Sequence, residues 1–315
     1  MYFDQHFNNC VYQMPRIFPN AKADNLVIMV KQRPAEVGHL ALMLNCPPEM
    51  QTDGGSQCFP LYLYEKFDQR EDDNDLLSQE DSACEQRRYA ITDEGLDHFQ
   101  SAYPGEPISK EDIFYYVYGI LHSVDYRERF AANLGKELPR IPAVKQACDF
   151  WALSNAGRDL ARLHLNYETV EPYPLTIETT GKLTDVDYRV EKMKHAKVKD
   201  PETGKRVNDL ATVIYNHRIT LRDIPLEAWD YVVNGKPALT WVMERQCVKI
   251  DKSSGIVNDA NDWAIETMNN PKYPMELFQR VVTVSLETQK IVDALPPLDL
   301  PANNISSTEP QLQNL

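Results

Sequence analysis

The amino-acid sequence predicts an α+β fold: a helical middle region, then a β-meander or hairpin region with short helices, then a long C-terminal helix. Three patterns support this prediction. Apolar side chains recur at helical spacing between residues 90 and 165, strand-like alternation begins at Val186, and helical spacing returns from Met275 to Leu295. The 315 residues, of which 43% are hydrophobic, are enough to bury a substantial core.

Residues 1–88 are predicted to be a β-containing segment that ends in an acidic loop. The runs Asn25–Val30 and Phe59–Glu65 are rich in β-branched or aromatic residues and lie between turn-forming residues, which is typical of strands. The stretch from Glu65 to Gln86 carries many charges and amides but few large apolar groups. Because it cannot bury enough surface to offset its ordering entropy, we predict a mobile loop there.

Residues 89–170 are predicted to be helical. Thr92, which is followed by two acidic residues, is typical of a helix N-terminus, and Ser109 with Asp112 forms a near capping box for a second helix. Gly135 is suited to end the continuation of that second helix. A third helix is predicted after the PRIP turn that follows.

Residues 171–298 are predicted to form a mixed α/β region, and the composition of residues 299–315 predicts a disordered tail. Alternation through VDYRVEKM and AKVK indicates strands that lead to a turn at Asp200–Lys205, after which further strands follow. Pro225 and Pro237 lie where the first turn of a helix tolerates proline, so each is predicted to open a short helix.

The net charge of −14 argues at first against a nucleic-acid partner, because neutralising phosphates requires a basic surface. The charge is unevenly distributed, however. Residues 1–180 carry 16 basic and 28 acidic side chains, residues 181–260 carry 14 and 12, and residues 261–315 carry 3 and 7. Between Lys192 and Arg218 there are seven basic residues and three acidic ones. Any DNA contact is expected there, although charge alone leaves a solvated lysine-rich hairpin open.

The cysteines and the hydropathy pattern indicate a cytoplasmic protein. The six cysteines are scattered, with no CxxC pair and no spacing that zinc requires, so they are expected to be reduced core thiols and no metal site is expected. No apolar run approaches the roughly 18 residues of a membrane span, and the first ten residues lack the features of a signal peptide. We therefore expect no membrane association.

No common catalytic signature is intact in the sequence. The TGK triplets at Thr180 and Thr203 lack the upstream glycine of a phosphate-binding loop, and there is no GxSxG or HExxH motif. The NCPP sequence at Asn45 is similar to the NPPY loop of amino-methyltransferases, but Cys46 interrupts the motif, so a turn is predicted. We therefore expect this chain not to be an enzyme.

Several long segments resemble one known family. They are FPLYLYE at Phe59, the run Glu111–Pro142, AGRDLARLHLNYE at Ala156, YRVEKMKH at Tyr188, the run Val213–Trp263 and RVVTVSLETQKIV at Arg280. Together they are similar to the C-terminal specificity region of type ISP restriction-modification enzymes and of related proteins described as helicases. The resemblance extends over nearly the whole chain.

The resemblance implies a role in target recognition. In that family one polypeptide joins a nuclease, a helicase-like motor, an adenine methyltransferase and a C-terminal domain that reads an asymmetric DNA sequence, and this chain resembles only the last of these. It therefore implies sequence-specific recognition of duplex DNA, with no cofactor of the chain's own. S-adenosylmethionine, ATP and Mg²⁺ are expected to belong to the other modules, and the methyltransferase and helicase modules are candidate partners.

The candidate DNA-contacting residues follow from side-chain chemistry and not from the family pattern. Lysine suits phosphate, whereas arginine and asparagine can bond two atoms of a base edge. We expect Arg206 and Arg218 to read guanine and Asn216 to read adenine, although the Asn216 amide could instead cap the following turn. The expected phosphate contacts are Lys192, Lys194, Lys197, Lys199, Lys205 and Lys252.

Two other functions remain open from the sequence. The chain could dock onto a methyltransferase or motor and bind DNA only in that complex, and its acidic first 180 residues would suit a basic partner surface. More distantly, an acidic DNA mimic could occupy the DNA groove of a restriction enzyme as an inhibitor. The lysine-rich hairpin counts against the mimic.

Overall fold

The computed structural model describes residues 14–31, 40–48, 56–66 and 85–301. These residues fall into two compact units, one of residues up to 161 together with those from 295 onward, and one of residues 162–294. The predicted acidic loop and disordered tail lie almost wholly outside the described residues. The region limits predicted at residues 88, 170 and 298 stay predictions.

In the first unit, the described residues start with a short helix, α1 (Met14–Ile17), and form two small antiparallel sheets. Strand β1 (Val27–Lys31) lies between β2 (Ala41–Leu44) and β3 (Ser56–Pro60). Four of its five residues are buried, as expected for a central strand with an uninterrupted apolar run. A separate pair consists of β4 (Tyr62–Lys66) and β5 (Glu85–Tyr89).

The predicted strand Phe59–Glu65 is divided between β3 and β4. The division falls at Leu61, which is buried and whose backbone N–H donates to the carbonyl oxygen of Leu26 at 2.8 Å. The chain therefore changes sheets at this residue, a bend that the apolar pattern alone does not reveal.

The helices that follow in the chain confirm the predicted helical region. Thr92 caps the first of them by accepting a hydrogen bond from the N–H of Gly95, and Ser109 and Asp112 form a complete capping box on the second. Gly135 ends the last short helix of the continuation, as predicted. The helices are α2 (Asp93–Ala102), α3 (Lys110–His122), α4 (Val124–Arg129), α5 (Ala131–Leu134) and α6 (Ala147–Leu165).

The second unit contains a four-stranded antiparallel sheet in the order β6-β9-β8-β7. Its strands are β6 (Thr176–Thr179), β7 (Lys194–Lys199), β8 (Arg206–Ile214) and β9 (Ile219–Arg222). Among the described strands β7 pairs with β8 alone and is therefore an edge strand, and this pairing is interrupted by a bulge between His195 and Ala196. The predicted hairpin with its turn at Asp200–Lys205 is confirmed.

Two predictions for this region are wrong, the strand from Val186 and the helix after Pro225. The alternating segment that starts at Val186 is not a strand, because Thr184 and Asp187 form a capping box around a 3-10 helix, Asp185–Tyr188. After Pro225 there is only one 3-10 turn, Leu226–Trp229. The first difference arises from local side-chain hydrogen bonds, and the second from a short hairpin that follows the 3-10 turn.

The rest of the second unit consists of short hairpins and helices. Pro237 precedes a helix as predicted, at the N-cap position. The elements are β10 (Val232–Val233), β11 (Lys236–Pro237), α7 (Ala238–Arg245), β12 (Val248–Ile250), β13 (Val257–Asp259), α8 (Ala260–Glu266) and α9 (Tyr273–Asp293). The last of these is the predicted long C-terminal helix.

The core of the second unit lies against one face of the sheet. Val213 and Leu221 are opposite each other on β8 and β9 and are fully buried. They belong to one apolar cluster with Leu239 of α7 and Phe278 of α9. No described strand pairs with the outer edge of β7, and the side chains of Lys194, Lys197 and Lys199 on this strand are exposed. In the described part of the chain, no helix is both long and apolar enough to cross a membrane.

Candidate nucleic-acid interface

Lysine side chains line the uncovered edge of the four-stranded sheet. Lys194, Lys197 and Lys199 lie on β7, Lys192 lies two residues before it, and all four are exposed. Edge lysines also discourage pairing with other strands, so their charge does not by itself assign a function. The residues around this edge say more about its function than its charge does.

The β7–β8 hairpin extends the basic edge to its tip. Lys199 lies directly opposite Arg206, and Lys197 lies opposite Asn208, whose side-chain oxygen accepts a hydrogen bond from the Lys197 ammonium group. Lys205 is the last residue of the turn and is exposed, as is Arg206. Five cationic side chains therefore follow one hairpin.

The turn at the tip of this hairpin is held by Asp200. Its Oδ1 accepts hydrogen bonds from the backbone N–H of Thr203 (2.9 Å) and Glu202 (2.8 Å), and these bonds lower the pKa of the carboxyl group. Gly204 takes a positive φ of 64°, a conformation that glycine adopts without strain. The backbone of the tip is therefore a defined turn, from which the exposed cations extend.

An open cleft of about 880 Å³ lies along the edge. Buried Met193 and Met243 supply apolar lining, and exposed Lys194, Lys197 and Lys249 supply positive charge. A basic surface with an apolar lining suits an anionic ligand that also has flat apolar groups. A nucleic acid has both, in its phosphates and its bases.

Two smaller clefts adjoin the first and extend the same surface. One of about 520 Å³ shares Lys192, Lys194 and Ile214 with it, and one of about 480 Å³ shares Glu244, Cys247 and Lys249. Because lysines stand at both junctions, the three clefts form one continuous surface, which we call the basic groove.

The acidic side chains that line the basic groove are held by contacts within the chain. Asp251 accepts hydrogen bonds from the backbone and hydroxyl groups of Ser253 and Ser254. The others are in ion pairs: Glu244 with Lys236, Asp187 with Arg218, and both Asp259 and Glu191 with Arg189. Their charges are thus partly neutralised.

The lysines of the groove, by contrast, are available for a ligand. Within the described ranges, the lysines that line the groove make no ion pair, namely Lys192, Lys194, Lys197, Lys249 and Lys252. The same is true of three cations at the tip of the first hairpin, Lys199, Lys205 and Arg206. The local surface is therefore positive even though the chain as a whole is acidic.

Asn216 and Arg218, which the sequence predicts as base readers, lie in the loop between β8 and β9. The Asn216 amide donates to the carbonyl oxygens of Asp187 (2.8 Å) and Arg189 (2.9 Å) and accepts from the N–H groups of Arg218 (2.8 Å) and Ile219 (2.9 Å). All of its usual hydrogen-bonding capacity is used. The alternative prediction, that Asn216 caps a turn, describes this arrangement.

The Arg218 guanidinium is similarly engaged. It bonds the carbonyl oxygens of Thr180 (2.8 Å) and Lys182 (3.1 Å) and pairs with Asp187 at 2.5 Å. Its planar fork of donors therefore holds the segment before β7 in place. The structure does not bring Arg218 together with Arg206 at the hairpin tip.

His195 lies inside the large cleft, and its ring is 4.9 Å from that of Trp229. Its Nδ1 is buried with no hydrogen-bond partner among the residues that the structure describes. Burial lowers the pKa of the imidazole from 6.5. The ring is therefore neutral at pH 7 and contributes apolar surface instead of charge.

A second hairpin, β12–β13, lines the large cleft together with β7. This hairpin was not predicted from the sequence. It carries Lys249, opposite Asn258, and Lys252 in its turn. Only Lys252 is among the predicted contacts. The short strands, three residues each, give too little alternation for a strand to be recognised.

The base of the second hairpin is fastened to the segment before β7. Arg189 pairs with Asp259 at 2.6 Å, and the Asn261 amide both donates to and accepts from the backbone of Val190, each at 2.9 Å. The N–H of Val248 donates to the carbonyl oxygen of Glu191 at 3.1 Å. We call these contacts the clasp; they fix the two hairpins relative to each other.

Comparison with known protein families identifies this architecture. The model of the type ISP C-terminal specificity domain matches residues 1–277. The chain belongs to this family. The search of curated protein sequences found no match to this chain.

Three solved structures are similar to the specificity domain. The ATP-dependent type ISP restriction-modification enzyme LlaBIII bound to DNA has 34% identity over 92% of this chain, with a TM-score of 0.74. A nuclease-deletion mutant of the type ISP enzyme LlaGI, in complex with a DNA substrate mimic, has 33% identity over 92% and a TM-score of 0.68. The DrdV–DNA complex has 31% identity over 94% and a TM-score of 0.71.

The specificity domain spans 17%, 19% and 27% of the lengths of those three chains. The predicted family and fold class are confirmed by the family match and by these structures. Among the described residues, no group of three or more His, Cys, Asp or Glu side chains could hold a metal ion.

Proposed function

We propose that this specificity domain recognises a particular sequence in duplex DNA and that it contributes specificity, not catalysis, to a type ISP-like restriction-modification system. The observation that carries the proposal is the basic groove, where lysines without ion pairs surround an apolar cleft on an otherwise acidic chain. Three relatives that share the fold are described in complex with DNA or a DNA mimic. We expect the domain to act in the cytoplasm, because a restriction-modification system acts on DNA inside the cell.

Within this proposal the cations of the first hairpin position the duplex. Lys192, Lys194, Lys197, Lys199 and Lys205 follow one edge, as contacts to successive phosphates require. Lys252 would add a phosphate contact from the second hairpin. ATP, S-adenosylmethionine and Mg²⁺ would then be used by other modules of the system.

Base recognition by the first hairpin is assigned to Arg206. Its guanidinium has no ion pair within the described residues and stands at an exposed tip, where it can form two parallel hydrogen bonds to guanine O6 and N7. Asn216 and Arg218 are assigned a supporting role, because their hydrogen bonds hold the segment that leads into β7.

The proposal is tested with a pool of randomised duplex DNA. The purified 315-residue chain is incubated with the pool at low and at moderate salt, and the retained DNA is sequenced. We expect enrichment of one asymmetric motif and an affinity that falls steeply with salt, because each neutralised phosphate releases counterions. Retention without enrichment would contradict sequence-specific recognition, and no retention at low salt would contradict DNA binding by this chain alone.

A second candidate function is docking onto a methyltransferase or helicase module, with DNA bound only by the complex. The observation that favours it is the share of the related enzymes that the chain spans, at most 27% of the three compared. If the chain alone retains no DNA but does so when joined to such a module, docking is the better description. An acidic DNA mimic is disfavoured by the lysines of the basic groove.

A further inference from the structure

We propose that the second hairpin, β12–β13, is a base-reading element in addition to Arg206 of the first hairpin: it enters a groove of the duplex and reads bases there through Asn258 and three exposed apolar side chains. This inference rests on the proposed function. It assigns base recognition to residues other than those that the charge pattern indicates, and it starts from the side chains of the hairpin.

Three β-branched side chains stand exposed at the end of this hairpin. Ile250 is 62% exposed, Ile256 60% and Val257 56%, and Ile250 lies directly opposite Val257. Single exposed apolar residues are ordinary, but a cluster at the tip of a narrow hairpin costs solvation without contributing to any core in the free domain. Such a cluster indicates a contact with a ligand.

The charges around the cluster indicate which ligand it contacts. Lys249 and Lys252 flank the apolar side chains, and Lys249 also lines the large cleft beside β7. The apolar tip is thus continuous with the basic groove. Duplex DNA fits both parts, because phosphates flank each groove and thymine methyl groups lie within the major groove.

The tip of the hairpin is built as a rigid turn. The N–H of Asp251 donates to the carbonyl oxygen of Ile256, and that of Gly255 donates to the carbonyl oxygen of Asp251, both at 2.9 Å. The carboxylate of Asp251 accepts hydrogen bonds from the hydroxyl groups of Ser253 and Ser254. These bonds lower the pKa of Asp251, and the bond from Ser253 has the largest effect. A preorganised tip loses little conformational entropy on binding.

The position of the hairpin is also fixed. The clasp joins Asp259 and Val248, at the base of the hairpin, to the segment Arg189–Glu191 that leads into β7. A two-stranded ribbon is narrow enough for the major groove. While the lysines of β7 hold the phosphate backbone, the clasp therefore sets how the second hairpin enters the groove.

The register places the side chains of Lys249 and Asn258 on one face of the ribbon and those of Ile250 and Val257 on the other, so the hairpin offers both faces to the sides of a groove. Asn258 lies opposite Lys249, and no hydrogen bond of its side chain to a described residue is present. A free asparagine amide can bond adenine N6 and N7 together, and the methyl groups of Ile250, Ile256 and Val257 can contact the C5-methyl of thymine. The hairpin is thus suited to A·T pairs.

The test replaces thymine by uracil in the motif that the domain selects, which removes only the C5-methyl groups. We expect the wild-type chain to bind the uracil duplex more weakly, by roughly 4-fold for each methyl group that the hairpin contacts. The variant I250S/I256S/V257S should bind both duplexes equally. Asn258→Ala should relax the preference at an adenine position.

The control variant is L226S/V232S, which removes two apolar side chains of comparable exposure, 58% and 50%, outside the basic groove. It should keep the thymine preference, and all variants should retain the wild-type circular dichroism. If wild type prefers thymine and the hairpin variant keeps that preference, the inference fails while DNA recognition stands. If wild type binds both duplexes with equal affinity, the proposed contacts to thymine methyl groups are contradicted. If the chain binds no DNA at all, the proposed function itself is contradicted.

Discussion

Arg189 and Asp259 form an ion pair of 2.6 Å that joins the segment before β7 to the end of β13. Asp259 is also the N-cap of α8, because its Oδ1 accepts from the backbone N–H of Asn261 at 2.9 Å. One carboxylate therefore holds a hairpin, a helix terminus and the segment leading into the lysine-bearing strand.

Removing this carboxylate should loosen the second hairpin. For Asp259→Ala we expect the free energy of unfolding to fall by about 1–3 kcal/mol, since a charge-assisted hydrogen bond and a helix cap are lost together. Urea denaturation measures the change. The control is Glu191→Gln, which removes the exposed partner of the same arginine and should change stability by less than about 1 kcal/mol. Equal effects of the two variants would contradict the role of Asp259.

The same carboxylate should make stability depend on pH. Burial opposes its ionisation, but the hydrogen bond from Asn261 and the pairing with Arg189 outweigh burial and lower the pKa of Asp259 below 3.8. Its stabilisation is therefore complete above the unfolded pKa and is lost as the pH falls through the folded pKa. As the pH falls below about 4, wild type should lose stability more steeply than Asp259→Asn does, as urea midpoints would show. Parallel curves would exclude a contribution from Asp259.

The lysines of β7 should determine the salt dependence of DNA binding. For Lys199→Ala we expect the slope of log K against log salt to decrease by about 0.9, because one phosphate contact is removed. Fluorescence anisotropy at several salt concentrations measures it. Lys290→Ala, on α9 and paired with Glu287, is the matched control and should leave the slope unchanged. The selected DNA motif should stay the same for both, since phosphate contacts carry no sequence information.

Asn216 and Arg206 should respond differently to substitution. Asn216→Ala leaves the carbonyl oxygens of Asp187 and Arg189 without this donor, so we expect a stability loss of about 1–3 kcal/mol, visible in thermal denaturation. Arg206→Ala should leave stability unchanged and relax the preference at one base position. An Asn216 variant with wild-type stability and relaxed specificity would reverse this assignment.

The sequence predicts features that depend on neighbours along the chain. The capping box of Ser109 and Asp112 is one, because both residues and the helix that they start lie within one turn. The turn cap of Asn216 is also local, because it accepts from N–H groups two and three residues further along the chain. The carbonyl oxygens that Asn216 bonds, 27 and 29 residues away, and the partners of the Arg218 side chain, 31 to 38 residues away, are not predictable in this way. Charge and residue type identify cations that could bind DNA, but only tertiary contacts separate Arg206 from Arg218.

The last prediction concerns the contact between α3 and α6, where two glycines let the helix backbones touch. A Cβ atom at Gly119 would lie 2.1 Å from the carbonyl oxygen of Leu153, and one at Gly157 would lie 1.9 Å from that of Tyr115. Neither backbone can yield locally, so Gly119→Ala should separate the helices and cost about 1–3 kcal/mol, or more, of unfolding free energy.

Gly95→Ala is the matched control for this helix contact. Gly95 also lies in a helix, α2, but a Cβ there would meet its nearest neighbour, Ile91, at 3.4 Å, at the outer limit of tight contact. Because alanine favours a helix over glycine, we expect Gly95→Ala to be neutral or to stabilise the domain by up to about 1 kcal/mol. Urea denaturation of both variants separates steric exclusion from helix propensity: if Gly119→Ala also stabilises, the helices are not held by backbone contact.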